Sequence, residues 1–308
     1  MISRRIDLRE DGSSYVDCHL FEPQFATGIK RKRPALIILP GGAYLYKSHR
    51  EGDPVAARFA GMGYHTFVFQ YATYWKEKYE DPSEDIQLVP EAHWPEQLLD
   101  LMKLIRLIRE HADEWYVEAD QIYLMGFSAG AHIAGAEAVY WNDPKYLELA
   151  GIEDPESVRP DGAVLCYPML DAELVRWRTS IPEDFRLQAQ YLMYGVFGTL
   201  EPDESLYQEL DLTRHVTKDI CPVFIWHTFE DQTTSALAST RFIEKLIENK
   251  VRCEFHMFET GGHGMSLCDE TTARSDAEIL PADAIWPQMA DVFLKNRRML
   301  LNETEKDN

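Results

Sequence analysis

The sequence has no run of roughly 18 uninterrupted apolar residues, the minimum for a helix that crosses a bilayer, so no membrane-spanning helix is expected. Its first residues carry Arg4, Arg5, Asp7, Arg9 and Glu10 where a secretory signal would be apolar, and a cytoplasmic protein is expected. Positive charge is scarce. Against 52 Asp and Glu stand only 31 Lys and Arg, a formal net charge of −21. Nucleic acid and anionic membranes attract proteins through a positive field, so neither is expected as a partner. The five cysteines, Cys18, Cys166, Cys221, Cys253 and Cys268, are odd in number and form no Cys-x-x-Cys pair. That argues against a disulfide framework and a zinc site, and they read as small buried hydrophobes. His215, His227, His256 and His263 fall at no familiar ligand spacing, so no metal and no cofactor are expected. Repeats, linkers and low-complexity tracts are also missing, and residues 1–308 read as a single domain. Nothing in the sequence sets an oligomeric state.

What the chain does contain is a large core's worth of apolar residues, 45% of 308, in a regular rhythm. Residues 3–8 and 15–20 flank Asp11-Gly12-Ser13-Ser14 and read as a hairpin. The run Ala35-Leu36-Ile37-Ile38-Leu39, stopped by Pro40-Gly41-Gly42, has the pattern of a strand buried on both faces. Helices at 54–61, 95–111, 131–141 and 235–249 then alternate with strands at 65–71, 121–126, 162–167, 223–227 and 252–258, before a last helix near 286–296. In the second helix Leu98, Met102, Ile105 and Ile108 recur at three- and four-residue steps, and Pro95 occupies the first turn, where proline is tolerated. This alternation predicts an α/β fold: an eight-stranded, mostly parallel sheet with helices on both faces. Two long stretches interrupt it, at 71–94 and at about 170–220. The second, with helical pieces near 185–197 and 205–211, reads as a helical lid insertion.

The strongest chemical signal is Gly126-Phe127-Ser128-Ala129-Gly130, placed directly after a strand and before an alanine-rich helix. A serine nucleophile must project from a sharp strand-to-helix turn, and small residues two before and two after it let that turn close. Serine is barely nucleophilic at neutral pH and needs a base. His263, in the flexible turn Gly261-Gly262-His263-Gly264 after the last strand, is the candidate; His132 and His227 read as packing or supporting residues. The imidazole needs a carboxylate that fixes its tautomer. Asp231, a few residues beyond the strand at 223–227, is favoured, with Glu230 as its rival. The tetrahedral intermediate needs preorganised donors, for which the amides of Ala129 and of Gly42 or Ala43 are candidates.

These residues resemble the bacterial α/β-hydrolase esterases described as acetyl-xylan-esterase-like or xylanase-associated. The likeness rests on Leu39-Pro40-Gly41-Gly42-Ala43-Tyr44, Glu51-Gly52-Asp53-Pro54-Val55-Ala56, the elbow around Ser128, residues 223–231 and the turn around His263. It implies an α/β-hydrolase fold and removal of short acyl groups, often acetyl, from a small-molecule or oligosaccharide ester. The chain departs from the family pattern at Ala43, where a third glycine is common, and at Thr233-Thr234, where a Val-Pro pair is common. Tyr44, Tyr74 and Trp75 are candidate substrate-binding residues. Tyr46, Tyr71, Trp177, Tyr191 and Tyr194 are further aromatics near the expected pocket or lid, although such side chains also pack the undersides of lids. A serine peptidase or thioesterase on the same fold would share every catalytic residue named, and a non-catalytic binding module would be expected to have lost part of the triad.

Overall fold

The computed structural model describes residues 1–22, 31–76, 86–172 and 186–304. β1 (Ile2–Asp7) and β2 (Tyr15–Leu20) form the expected antiparallel hairpin, Ile2 opposite Leu20 and Asp7 opposite Tyr15. β3 (Arg33–Leu39), β4 (His65–Gln70), β5 (Val117–Phe127), β6 (Gly162–Cys166), β7 (Val223–Thr228) and β8 (Cys253–Phe258) complete one sheet in the order β1-β2-β4-β3-β5-β6-β7-β8. The hairpin joins β4 antiparallel, and every pair from β4 through β8 is parallel. β5 begins earlier than its apolar run because Val117, itself buried in the core, pairs with Arg33 ahead of a register shift, while the next three residues, Glu118 to Asp120, are only partly buried or exposed.

The helices are α1 (Asp53–Gly61), α2 (Glu96–Glu110), α3 (Ala129–Tyr140), α4 (Pro144–Ala150), α5 (Arg186–Phe197), α6 (Glu204–Leu210), α7 (Ala236–Glu248) and α8 (Trp286–Thr304). Successive strand residues point to opposite faces, which divides the core in two. On one face Ala35, Ile37, Leu39, Leu124 and Leu165 pack with Leu98, Ile105, Ile133 and Phe242 of α2, α3 and α7. On the other, Leu36, Ile38, Met125 and Trp226 pack with Phe59 of α1 and Trp286 of α8. All of α3 is buried, and its alanines and glycines let it sit close against the strands. Gly135, for example, faces Leu212 and Leu165.

α5 and α6 occupy the stretch expected to form a lid. Trp177 and the rest of residues 173–185 lie outside the described residues. Among the described residues, no helix is long and apolar enough to cross a membrane.

Candidate active site

The C-terminal ends of β3, β5, β6 and β7 meet at one edge of the sheet, the edge at which open α/β folds bind ligands. Ser128 follows β5 directly, with φ 53° and ψ −115°, a strained backbone for a non-glycine residue, costing on the order of 1–3 kcal/mol. The turn is too tight for larger neighbours. A Cβ on Gly126 would stand 2.4 Å from the Gly130 carbonyl oxygen, and one on Gly130 would stand 2.1 Å from that of Leu39. The Ser128 amide donates to the Cys166 carbonyl at 3.0 Å, anchoring the elbow on the end of β6.

His263 Nε2 lies 2.8 Å from Ser128 Oγ, and its Nδ1 lies 2.8 Å from Asp231 Oδ2. With Nδ1–H donating to the carboxylate, Nε2 is left to accept the serine proton. The imidazole and the Tyr167 ring pack edge to face, centroids 5.1 Å apart. The loop chemistry separates the two carboxylates. Asp231 is buried and accepts from the amides of Thr233 at 2.7 Å and Thr234 at 3.0 Å, with Thr234 Oγ1 at 2.9 Å. Glu230 is exposed and accepts from the Gly261 amide at 3.0 Å, so it props the turn that carries His263.

A second histidine also reaches Asp231: buried His227 places Nε2 3.2 Å from Oδ2, and its Nδ1 meets Ser239 Oγ at 3.0 Å. Burial pushes the Asp231 carboxyl upward, but hydrogen bonds from His227, His263 and the Thr233 amide outweigh it and hold the group well below the usual carboxylate range. The carboxylate therefore stays ionised wherever the protein is folded at ordinary pH.

The loop after β3 is equally constrained. Gly42 has φ 135°, and a Cβ there would meet the Tyr46 carbonyl oxygen at 1.9 Å. Ala43 and Tyr44 follow with φ 58° and 62°, both in the left-handed region. Gly42 and Ala43 line a cavity of about 260 Å³ together with Ser128, His263, Trp75 and Leu192. Among the described residues no hydrogen bond engages the Gly42 or Ala43 amide. Ala129 opens α3, so its amide has no carbonyl a turn earlier in the helix to bond.

Of the three substrate-binding candidates, Trp75 lines this cavity and two do not. Tyr44 is fully buried: its positive φ turns the ring into the core, where Oη meets His132 Nδ1 at 2.7 Å. Tyr74 packs against α5, stacked on Tyr194 with centroids 5.8 Å apart. His132 is a buried support, its Nε2–H donating to the Leu210 carbonyl at 3.0 Å.

Two contributors went unread in the sequence. Buried Glu51 accepts from the Gly41 amide at 2.8 Å and from the Tyr167 hydroxyl at 2.5 Å, and the same hydroxyl accepts from the Ser266 amide at 3.0 Å. Glu51 and Tyr167 thus tie the β3 loop to the His263 loop. The signals were present: Glu51 opens one of the motifs that carry the family resemblance, and Tyr167 directly follows the strand beside the elbow.

A sheet of this order, with a serine on its strand-to-helix elbow and a histidine and carboxylate arriving from the next strand ends, defines an α/β-hydrolase. Within that class the chain belongs to the BD-FAE family, whose pattern matches residues 24–246. It is 28% identical over 244 residues to endo-1,4-beta-xylanase B of Butyrivibrio fibrisolvens, covering 78% of this chain and 33% of that protein. The chain thus spans about a third of that curated relative's length. Among solved structures, the carboxylesterase Cest-2923 of Lactobacillus plantarum superposes with a TM-score of 0.76 at 23% identity, covering 96% of this chain and 98% of that one. A sugar hydrolase of Lactococcus lactis superposes at 0.72 with 27% identity, covering 98% and 99%.

Proposed function

We propose that this protein is a serine-dependent carboxylic ester hydrolase that removes short acyl groups, acetyl foremost, from a sugar or small alcohol. The observation that carries the reading is the unbroken hydrogen-bonded line from Ser128 Oγ through His263 to Asp231, with 2.8 Å at each step. In the acylation step Ser128 Oγ attacks the ester carbonyl while its proton passes to His263 Nε2, and Asp231 stabilises the imidazolium. The amides of Ala129 and of Gly42 or Ala43 receive the developing oxyanion. His263 then returns the proton to the departing alcohol, and water, activated by the same imidazole, releases the acid.

A cavity of about 260 Å³, lined on one side by Leu192, suits a short acyl chain. The names borne by the similar proteins, a xylanase, a carboxylesterase and a sugar hydrolase, favour a carbohydrate ester. The test is Ser128→Ala against a panel of nitrophenyl esters from acetyl to octanoyl and a set of acetylated sugars. Hydrolysis should fall by orders of magnitude with the circular dichroism spectrum unchanged. Retention of more than about a few per cent of the rate would remove Ser128 from the reaction.

A further inference from the structure

Next to the cavity at Ser128 lies a separate cleft of about 750 Å³, within the size range of small-molecule sites. It follows from how the sheet is covered. On β2, Val16, Cys18 and Leu20 point into the core, which leaves Tyr15, Asp17 and His19 on the opposite face, partly exposed. Farther along that face α1 and α8 bury the parallel strands, and α1 packs over β3 and β4. The floor that results is a row of polar groups, Tyr15 and Asp17 of β2 beside Gln70 of β4, with Tyr15 and Gln70 directly opposite in register. Lys47, Asp53 and Thr73 also line the cleft, the buried Thr73 hydroxyl donating to the Trp75 carbonyl at 3.0 Å.

The lining selects a ligand class. Carboxylates at Asp11, Asp17 and Asp53 face the ammonium groups of Lys47 and Lys76, so charges of both signs are mixed and the cleft has no strong preference for a highly charged ligand. Among the described lining residues Val89 is the one aliphatic side chain, too little for a lipid chain or an apolar side chain. Closely spaced carboxylate, amide, hydroxyl, phenol and ammonium groups instead match a ligand with a donor and an acceptor at nearly every carbon. The Asp17 carboxyl, partly desolvated and pushed upward by that and by Asp53, gains from hydroxyl donors. The Lys47 ammonium, whose Nζ donates to the Tyr71 carbonyl at 3.1 Å, keeps further donor capacity for a hydroxyl oxygen.

The cleft and the Ser128 cavity share Tyr46, whose ring stacks on Trp75 with centroids 6.0 Å apart and planes 19° from parallel. The polar trough thus borders the Ser128 cavity at Tyr46. We propose that this cleft is a subsite for the alcohol side of the substrate and that it holds a neutral oligosaccharide arm extending from the esterified sugar. The assignment of the arm to the alcohol side rests on the ester-hydrolase reading of Ser128.

Two measurements keep the two ideas apart. The first is binding of unesterified xylotetraose, cellotetraose and mannotetraose to the Ser128→Ala protein by calorimetry, with and without Asp17→Ala and Gln70→Ala. At least one tetraose should bind, and each substitution should weaken it by about tenfold, the equivalent of one or two net hydrogen bonds. The second is the ratio of kcat/KM for an acetylated tetrasaccharide to that for the acetylated monosaccharide, which should be well above one in the wild type and collapse in both variants. Lys76→Ala, at an exposed cleft position off the strands, should lower the same ratio and guards against a folding defect in the strand variants. Turnover of the esters with no dependence on saccharide length, or tetraose binding untouched by Asp17→Ala and Gln70→Ala, overturns the subsite. Tetraose binding that depends on Asp17 and Gln70, in a protein that hydrolyses no ester, would uphold the saccharide cleft and overturn the hydrolase reading alone.

Discussion

Asp231 and Glu230 are adjacent in sequence, yet one is buried under five hydrogen-bonding groups and the other props a glycine turn from the surface. Their removal should therefore differ in kind. Asp231→Asn should lower kcat by about 10⁴-fold through loss of tautomer control, while Glu230→Gln should stay within about tenfold of wild type. Steady-state kinetics on nitrophenyl acetate decide it, and a crippled Glu230 variant beside a normal Asp231 variant would reverse the assignment.

Glu51 invites a second comparison. Its carboxylate holds the Gly41 amide and the Tyr167 hydroxyl, so Glu51→Ala should loosen the loop that presents the Gly42 and Ala43 amides. We expect kcat to fall by about 10²-fold, the scale of a lost oxyanion donor, with KM little changed. Glu51→Gln, which can still accept from Gly41 and donate to Tyr167 Oη, should recover most of the rate. Equal losses in the two variants would mean that the charge, and not the tether, matters.

At the scale of elements, α5 forms a wall of the Ser128 cavity, the proposed acyl pocket. It can sit low because of Gly195, where a Cβ would lie 2.9 Å from Leu45 Cδ2, and it brings Leu192 to the Ser128 cavity. Leu192→Ala should open that wall and raise the ratio of hexanoyl to acetyl kcat/KM, by about 1–3 kcal/mol for each methylene newly accommodated. An unchanged ratio would place the acyl group elsewhere.

The elements themselves were largely legible, because strands buried on both faces and amphipathic helices carry their period in the sequence. α4 was passed over: it is only seven residues long, although Pro144 in its first turn and Gly151 in the left-handed region are ordinary start and stop signals. Ser128, His263 and Asp231 could be read because each sits in a local motif that dictates its own backbone. Tyr44 and Tyr74 could not be, since side-chain direction in a loop depends on φ: Tyr44 at φ 62° points to the core while the nearby Tyr46 points outward. Glu51 and Tyr167 meet across 116 positions of sequence, a contact that no local pattern encodes.

Across the whole molecule, four desolvated groups contribute to the response to acid in opposite directions. Burial holds His65 and His132 down to about 4, the neutral tautomer of each being fixed by its partners. Their contribution to stability is present above the unfolded value of about 6.5 and is lost as pH falls through the folded value. Burial raises Asp161 and Asp283 to about 6, so their contribution is present below about 3.9 and is lost as pH rises through the folded value. Between about pH 4 and 6.5 the two pairs offset each other, each group contributing on the order of 3 kcal/mol at most. Relative to wild type, Asp161→Asn should lose stability on going from pH 6.5 to 4.5, and His65→Asn should gain it. Relief of the −21 net charge on acidification is common to both variants and cancels in the comparison. Urea unfolding at the two pH values measures the slopes, and slopes of the same sign would contradict the burial argument.

The central claim is that Ser128 carries the acyl group, and a mechanism-based label tests it most directly. Treated with a fluorophosphonate ester, the protein should gain the mass of a single adduct, lose ester hydrolysis in proportion to labelling, and yield one modified peptide with the adduct on Ser128. An adduct on another residue that accounts for the lost activity, or full hydrolysis by a protein that the reagent leaves unmodified, would contradict it.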